Sequence, residues 1–144
     1  MSMSSQWVFW AVLSALFAAL TAILAKVGVQ GIDPDLATLL RTGVILVVLA
    51  ILVAATGKWQ NPRLLGGHGL WFLALSGLAT GASWVCYFRA LKLGPASKVA
   101  PVDKLSVVLV AVLATLFLGE RPSPRDWLGI GLVACGVALL ALRP

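Results

Sequence analysis

Asp103 and Lys104 stand side by side in an apolar stretch, and Arg41 and Arg89 lie in two others. A charge within a lipid-spanning segment is costly and usually faces other helices or a water-filled cavity. Arg41 falls seven residues past Pro34, roughly 10 Å along a helix at ~1.5 Å per residue. Asp103 and Lys104 fall eight and nine residues past Pro95, about 12–14 Å along. Arg89 precedes Leu93 by four residues, roughly 6 Å from that end. All four approach one membrane face, so Asp103 has Arg41, Arg89 and Lys104 as possible partners. Two readings fit: an ion pair that locks three spans together, or a polar patch lining a substrate pathway. Three bases against one acid leave positive charge in excess, which suits an anionic or zwitterionic substrate better than a lipophilic cation. Trp84 and Tyr87, three residues apart, share a helix face with Phe88. Such a face stacks a ring or packs against a neighbour.

The elements that must position these residues are membrane spans. Of 144 residues, 60% are hydrophobic and 11% charged, and mean hydropathy is +1.01. A helix needs about 20 apolar residues to cross a bilayer. The chain reads as one membrane domain, residues 1–144, with spans at about 7–28, 34–56, 69–93, 95–118 and 124–142. Asp33 before Pro34 is a helix start, since Asp caps and Pro suits the first turn. Short breaker-rich turns separate the spans at Gly31, Asn61-Pro62, Gly94-Pro95 and Pro122-Ser123-Pro124. The expected fold is an all-α five-helix membrane bundle. Pro101, inside span four, removes a backbone hydrogen bond near Val99 to Pro101 and should kink that helix.

An odd number of spans puts the two termini on opposite faces. Trp7, Trp10, Trp59, Trp71 and Trp127 all fall on the N-terminal face, as half of an aromatic belt. Lys58, Arg63, Arg121 and Arg125 lie on that face, against Lys26, Lys92, Lys98 and Arg143 near the other, with Arg41, Arg89 and Lys104 deeper. Surface positions give four against four and all positions four against seven, so orientation is weakly encoded. Both insertion in two orientations and a single cytoplasmic C-terminus fit that count.

The net charge of +6 would suggest nucleic acid in a soluble chain. Here the bases sit mainly at helix ends, where they meet lipid headgroups, and no nucleic-acid partner is expected. Cys86, Cys135 and the lone His68 match no metal site, and no cofactor is implied. The N-terminus lacks a basic signal-peptide region, so the first apolar run reads as a retained span. No nucleotide-binding glycine loop precedes a Lys-Ser/Thr pair, and no catalytic set is visible; an enzyme is not expected. Gly77 and Gly81 form a GxxxG, and Gly129, Gly131, Cys135 and Gly136 give span five a small face, a candidate subunit contact. Glu120 sits where the helix dipole of span four disfavours an anion, so Arg121 or Arg125 is expected to compensate it.

The run from Arg89 through Leu93-Gly94-Pro95-Ala96-Ser97 to Ala100-Pro101, followed by Leu116-Phe117-Leu118-Gly119-Glu120-Arg121-Pro122 and Trp127, resembles the EamA domain of the drug/metabolite transporter superfamily. The resemblance covers essentially the whole chain. It implies a secondary transporter of small metabolites in a bacterial plasma membrane. Family members usually carry two such domains in inverted orientation, so one five-helix unit would be half of an inverted-repeat transporter. An antiparallel homodimer or an inverted paralogous partner would complete it. The small multidrug resistance proteins work as such pairs, but with four spans and an essential carboxylate in the first, which this chain lacks.

Together these readings point to alternating access, with Arg41, Trp84, Tyr87, Asp103 and Lys104 as substrate-binding residues. Two rivals stand beside it: a non-transporting membrane subunit of a larger complex, and a subunit of a lipid-linked sugar flippase.

Overall fold

The computed structural model describes residues 3–60 and 67–141. Its regular elements are all helical: α1 Met3–Gly28, α2 Pro34–Ala55, α3 Gly67–Leu93, α4 Ala96–Asp103, α5 Ser106–Leu113 and α6 Pro124–Ala141, with a π-helical turn, Ala114–Leu118, after α5. Five stretches are long and apolar enough to cross a bilayer: Gln6–Gly28, Pro34–Ala55, Gly67–Leu93, Ala96–Leu118 and Pro124–Ala141. The Asn61-Pro62 turn, Arg63, Leu142 and Arg143 lie outside the described residues.

The chain divides into two compact units, Ile23–Leu93 and a second made of Met1–Ala22 with Gly94–Pro144. In the first, α2 packs along α3. Asp33 stays extended and its carboxylate accepts from the backbone N–H groups of Asp35 (2.9 Å) and Leu36 (3.3 Å), capping α2 directly ahead of Pro34. The buried side chains of this unit, Val29, Thr38, Phe88 and Leu91, all lie within about two turns of Gly28, Pro34 or Leu93. Packing is therefore concentrated at one end. Polar contacts reinforce that end: Lys26 donates to the Leu91 carbonyl, and Lys92 donates to the Ile32 carbonyl at 3.1 Å. The first satisfies a carbonyl in the last turn of α3, where intrahelical partners run out, and the second a carbonyl in the turn before α2. Farther along, Leu46, Ile51, Leu73 and Leu78 are exposed, as residues meeting lipid or another chain would be.

In the second unit, α6 packs against α4 and α5. The fourth span is not one regular helix. The helix runs through Pro101, and the irregularity falls just after it: Lys104 N–H bonds to Pro101 O (2.9 Å) and Leu105 N–H to Val102 O (3.0 Å), both tighter i to i−3 contacts. The expected break near Val99 to Pro101 is thus displaced by one turn. Proline withholds the N–H that would have reached back to Ser97, and the chain recovers through a short 3₁₀-type turn at Lys104–Leu105.

The span ends in the π-helical turn. Gly119 takes φ 68°, a left-handed conformation that costs glycine little, and Glu120 N–H closes on Ala114 O at 3.2 Å. Then α6 opens with a reciprocal cap: Ser123 N–H donates to Asp126 Oδ2 (2.7 Å), and Asp126 N–H donates to Ser123 Oγ (3.3 Å).

A Cβ at residue 119 would meet nothing within 4 Å, so only its φ opposes substitution. Gly119→Ala should destabilise the protein by about 1–2 kcal/mol in reversible unfolding from mixed micelles, and Gly119→Asn by less, because Asn tolerates this region.

Candidate functional site

Arg41 projects from the second turn of α2 onward, and α3 presents Trp84 and Phe88 one turn apart on a common face. The guanidinium carbon lies 4.1 Å from the Trp84 ring centre and 5.6 Å from that of Phe88. The depths agree, since Arg41 enters roughly 10 Å from Pro34 while Phe88 and Trp84 lie roughly 7 and 14 Å from Leu93. Tyr87 is close enough to act electrostatically on Arg41. Phe88 is buried, while Arg41, Trp84 and Tyr87 are each partly exposed. Stacking on an indole face stabilises a partly desolvated guanidinium. A contact with a ring face uses none of the five N–H donors as a conventional hydrogen bond. Among the described residues, no carboxylate or carbonyl accepts from them.

The other two expected site residues lie in the other unit. Asp103 and Lys104 pair with each other across adjacent positions, Nζ to Oδ2 3.2 Å, where α4 gives way to the 3₁₀-type turn. Of the three partners open to Asp103, the structure pairs it with its neighbour.

Arg89 is held differently from the sequence-based expectation. It forms a two-pronged ion pair with Asp35, Nε to Oδ1 3.1 Å and Nη2 to Oδ2 2.7 Å. Both side chains are more than half exposed, so the pair mainly sets geometry. Asp35 had a legible signal: it sits in the first turn of α2, within an arginine's reach of the depth of Arg89. This pairing alters the charge sum. With Arg89 on Asp35 and Lys104 on Asp103, the excess positive charge in this set rests on Arg41.

Other sequence expectations resolve as follows. Glu120 forms no ion pair with Arg121 or Arg125 among the described residues. A Cβ at Gly77, Gly81, Gly129, Gly131 or Gly136 would meet nothing within 4 Å among the described residues. Cys86 and Cys135 are free and exposed.

A double-mutant cycle of Arg41→Met and Trp84→Leu should give a coupling of about 0.5–2 kcal/mol in reversible unfolding. Arg89→Met with Asp35→Asn should give a coupling that fades as salt is raised. A zero coupling between Arg41 and Trp84 would mean that the stack does not hold in the membrane protein.

Residues 5–142 match the model of the EamA-like transporter family. An uncharacterised transporter encoded in the cobO 3′ region of a Sinorhizobium species is 61% identical over 140 residues, covering 97% of this chain and 99% of that protein. The uncharacterised transporter YxxF of Bacillus subtilis is 30% identical over 138 residues, which are 94% of this chain but 42% of the Bacillus protein. A Yersinia pestis protein named as the probable 4-amino-4-deoxy-L-arabinose-phosphoundecaprenol flippase subunit ArnE is 32% identical over 85 residues, 58% of this chain and 74% of that one. No solved structure is significantly similar. The apolar spans and these matches agree: the chain is a multi-pass membrane protein of the EamA-like transporter family, a family of transporters and not of enzymes.

Proposed function

We propose that this chain is one half of an alternating-access secondary transporter for small anionic or zwitterionic metabolites. The observation that carries the reading is Arg41: a guanidinium within a span, stacked on Trp84, with no acceptor for its N–H donors among the described residues. A carboxylate or phosphate of the substrate would take those donors in a two-pronged, charge-assisted contact. Tyr87 supplies a further polar group beside it. Asp103 and Lys104 form a second charged element on this half, in which Asp103 either holds Lys104 in place or carries the coupling proton. Rocking about Gly94 and the Pro101 turn switches access.

The half-transporter reading is supported by two features. Five is an odd number of spans, so a second copy of the unit in tandem would be inverted, and substrate sites in such folds lie at the repeat interface. The match to YxxF also takes up less than half of that transporter. The second unit is an inverted copy of this chain or an inverted paralogue. A second reading, a subunit of a lipid-linked sugar flippase, is favoured by the similarity to ArnE, which is named as such a subunit. A basic residue stacked on an aromatic ring suits a sugar phosphate as well as a free metabolite.

Uptake into proteoliposomes, screened across radiolabelled carboxylates, amino acids and phosphates, tests the substrate class. Arg41→Met should lower uptake of the transported anion by about 10- to 100-fold, the value of hydrogen bonds to a charged group, and Arg41→Lys should recover only part of it. Wild-type uptake by Arg41→Met would sink the proposal. Loss of a lipid-linked sugar from the outer leaflet on deletion, without any metabolite flux, would favour the flippase reading.

Pairing is tested by labelling single cysteines at Gln30 and Lys58, exposed residues beyond opposite ends of α2, after replacing Cys86 and Cys135. Each position labelled from both sides of the membrane supports an antiparallel homodimer. Each labelled from one side only rules out the antiparallel homodimer and leaves a separate inverted partner, a parallel assembly or a subunit that does not transport.

A further inference from the structure

The Phe117-Leu118-Gly119-Glu120-Arg121 (FLGER) segment has no part in the Arg41 site, yet it builds a feature of its own. A groove of about 420 Å³ opens between α5 and α6. Its wall is apolar: Val107, Val110, Ala111 and Ala114 on one side and Ile130 on the other. Its rim is charged, carrying Glu120, Arg121 and Asp126. The π-helical turn and the left-handed Gly119 explain why the rim stands where it does. They end the fourth span at Leu118, with Glu120 N–H closing on Ala114 O, so Glu120 and Arg121 follow directly at the mouth of the groove.

The dimensions match one leaflet. Glu120 and Arg121 lie outside the two flanking spans, which end at Leu118 and begin at Pro124, so they sit at headgroup depth. The apolar wall runs from Ala114 to Val107, roughly 10 Å, and its deep end lies roughly 16 Å from Leu118, about half of a hydrocarbon core about 30 Å thick. Trp127 follows Asp126 and is exposed, where an indole sits at the interface.

The rim charges choose the headgroup. One Asp126 oxygen is taken by Ser123 N–H, and the carboxylate caps the positive end of α6. Glu120 and Arg121 make no ion pair among the described residues. One available anion beside one available cation complements a zwitterion. An anionic headgroup would meet Glu120 with no positive group of its own to offset it. A quaternary ammonium could not donate hydrogen bonds to Glu120, whereas a primary ammonium has three donors.

We propose that this groove binds one phospholipid with a zwitterionic, primary-amine headgroup. Its ammonium rests on Glu120, its phosphate on Arg121, and one acyl chain lies along α5. The site is independent of the transport reading, because none of its residues belongs to the Arg41 cluster.

The test is native mass spectrometry of the intact protein taken from vesicles with equal parts phosphatidylethanolamine, phosphatidylcholine and phosphatidylglycerol. The wild type should retain one phosphatidylethanolamine per chain in preference to both others. Glu120→Gln should cut that preference by about 2- to 5-fold, as expected for a partly exposed ion pair. Ala111→Trp, which fills the wall and leaves the rim charges in place, should abolish retention while circular dichroism shows unchanged helix content. Equal retention of the three lipids, or a preference for phosphatidylglycerol that follows the +6 net charge, overturns the proposal. So does a wild type that keeps no lipid while Ala111→Trp splits a dimer, since the groove would then be a contact between copies.

Discussion

Hydrocarbon offers no hydrogen bonds, so every backbone N–H and C=O within a span must find its partner inside the protein. Much of the detail in this chain follows from that constraint. Thr38, Thr42, Thr80 and Thr115 turn their hydroxyls back onto carbonyls four residues earlier, each at 2.8 Å, and so carry no unsatisfied group into the membrane. Lys26 and Lys92 stop being merely interfacial charges and become donors to carbonyls in the last turn of α3 and in the turn before α2. The fourth span absorbs a proline by tightening into a 3₁₀-type turn and ends by loosening into a π-helical one, each change keeping the backbone bonded.

The same constraint explains what is unusual about Arg41. A guanidinium in a span normally finds a carboxylate, and this one lies on an indole instead. The aromatic face compensates part of the charge without using any N–H donor. A salt bridge would have consumed both the charge and the hydrogen-bonding edge. Contact with an indole face leaves the N–H donors without a carboxylate or carbonyl acceptor among the described residues, unlike an ion pair. Arg89 illustrates the other outcome, since its Nε and Nη2 both donate to Asp35.

Packing is distributed in a way that suits a protein with partners. The buried side chains of the unit Ile23–Leu93 gather near one end of its helices, and long stretches of α2 and α3 expose leucine, isoleucine and valine. The glycines of α3 and α6 have open space beside them. Where small residues are not used within a chain, close approach by another helix remains possible. Membership of a transporter family does not by itself name that other helix.

The sequence by itself determined the five spans, because twenty apolar residues in a row have one way to satisfy their backbone in a bilayer, and that way is helical. It also determined the cap at Asp33 and the family, through the run from Arg89 to Pro101 and the FLGER segment. It identified the charged residues within the spans, since composition alone makes them conspicuous. Only the tertiary structure decided how they pair. Helical arithmetic placed Arg41, Arg89, Asp103 and Lys104 at one depth, but depth is a single coordinate, and pairing depends also on rotation about each helix axis and on which helix is the neighbour. Asp35 was passed over because a residue in a helix's first turn reads as part of a cap. The displaced irregularity after Pro101 escaped for a related reason: a proline states which hydrogen bond is missing, while the surrounding packing selects the turn in which the chain makes up for it.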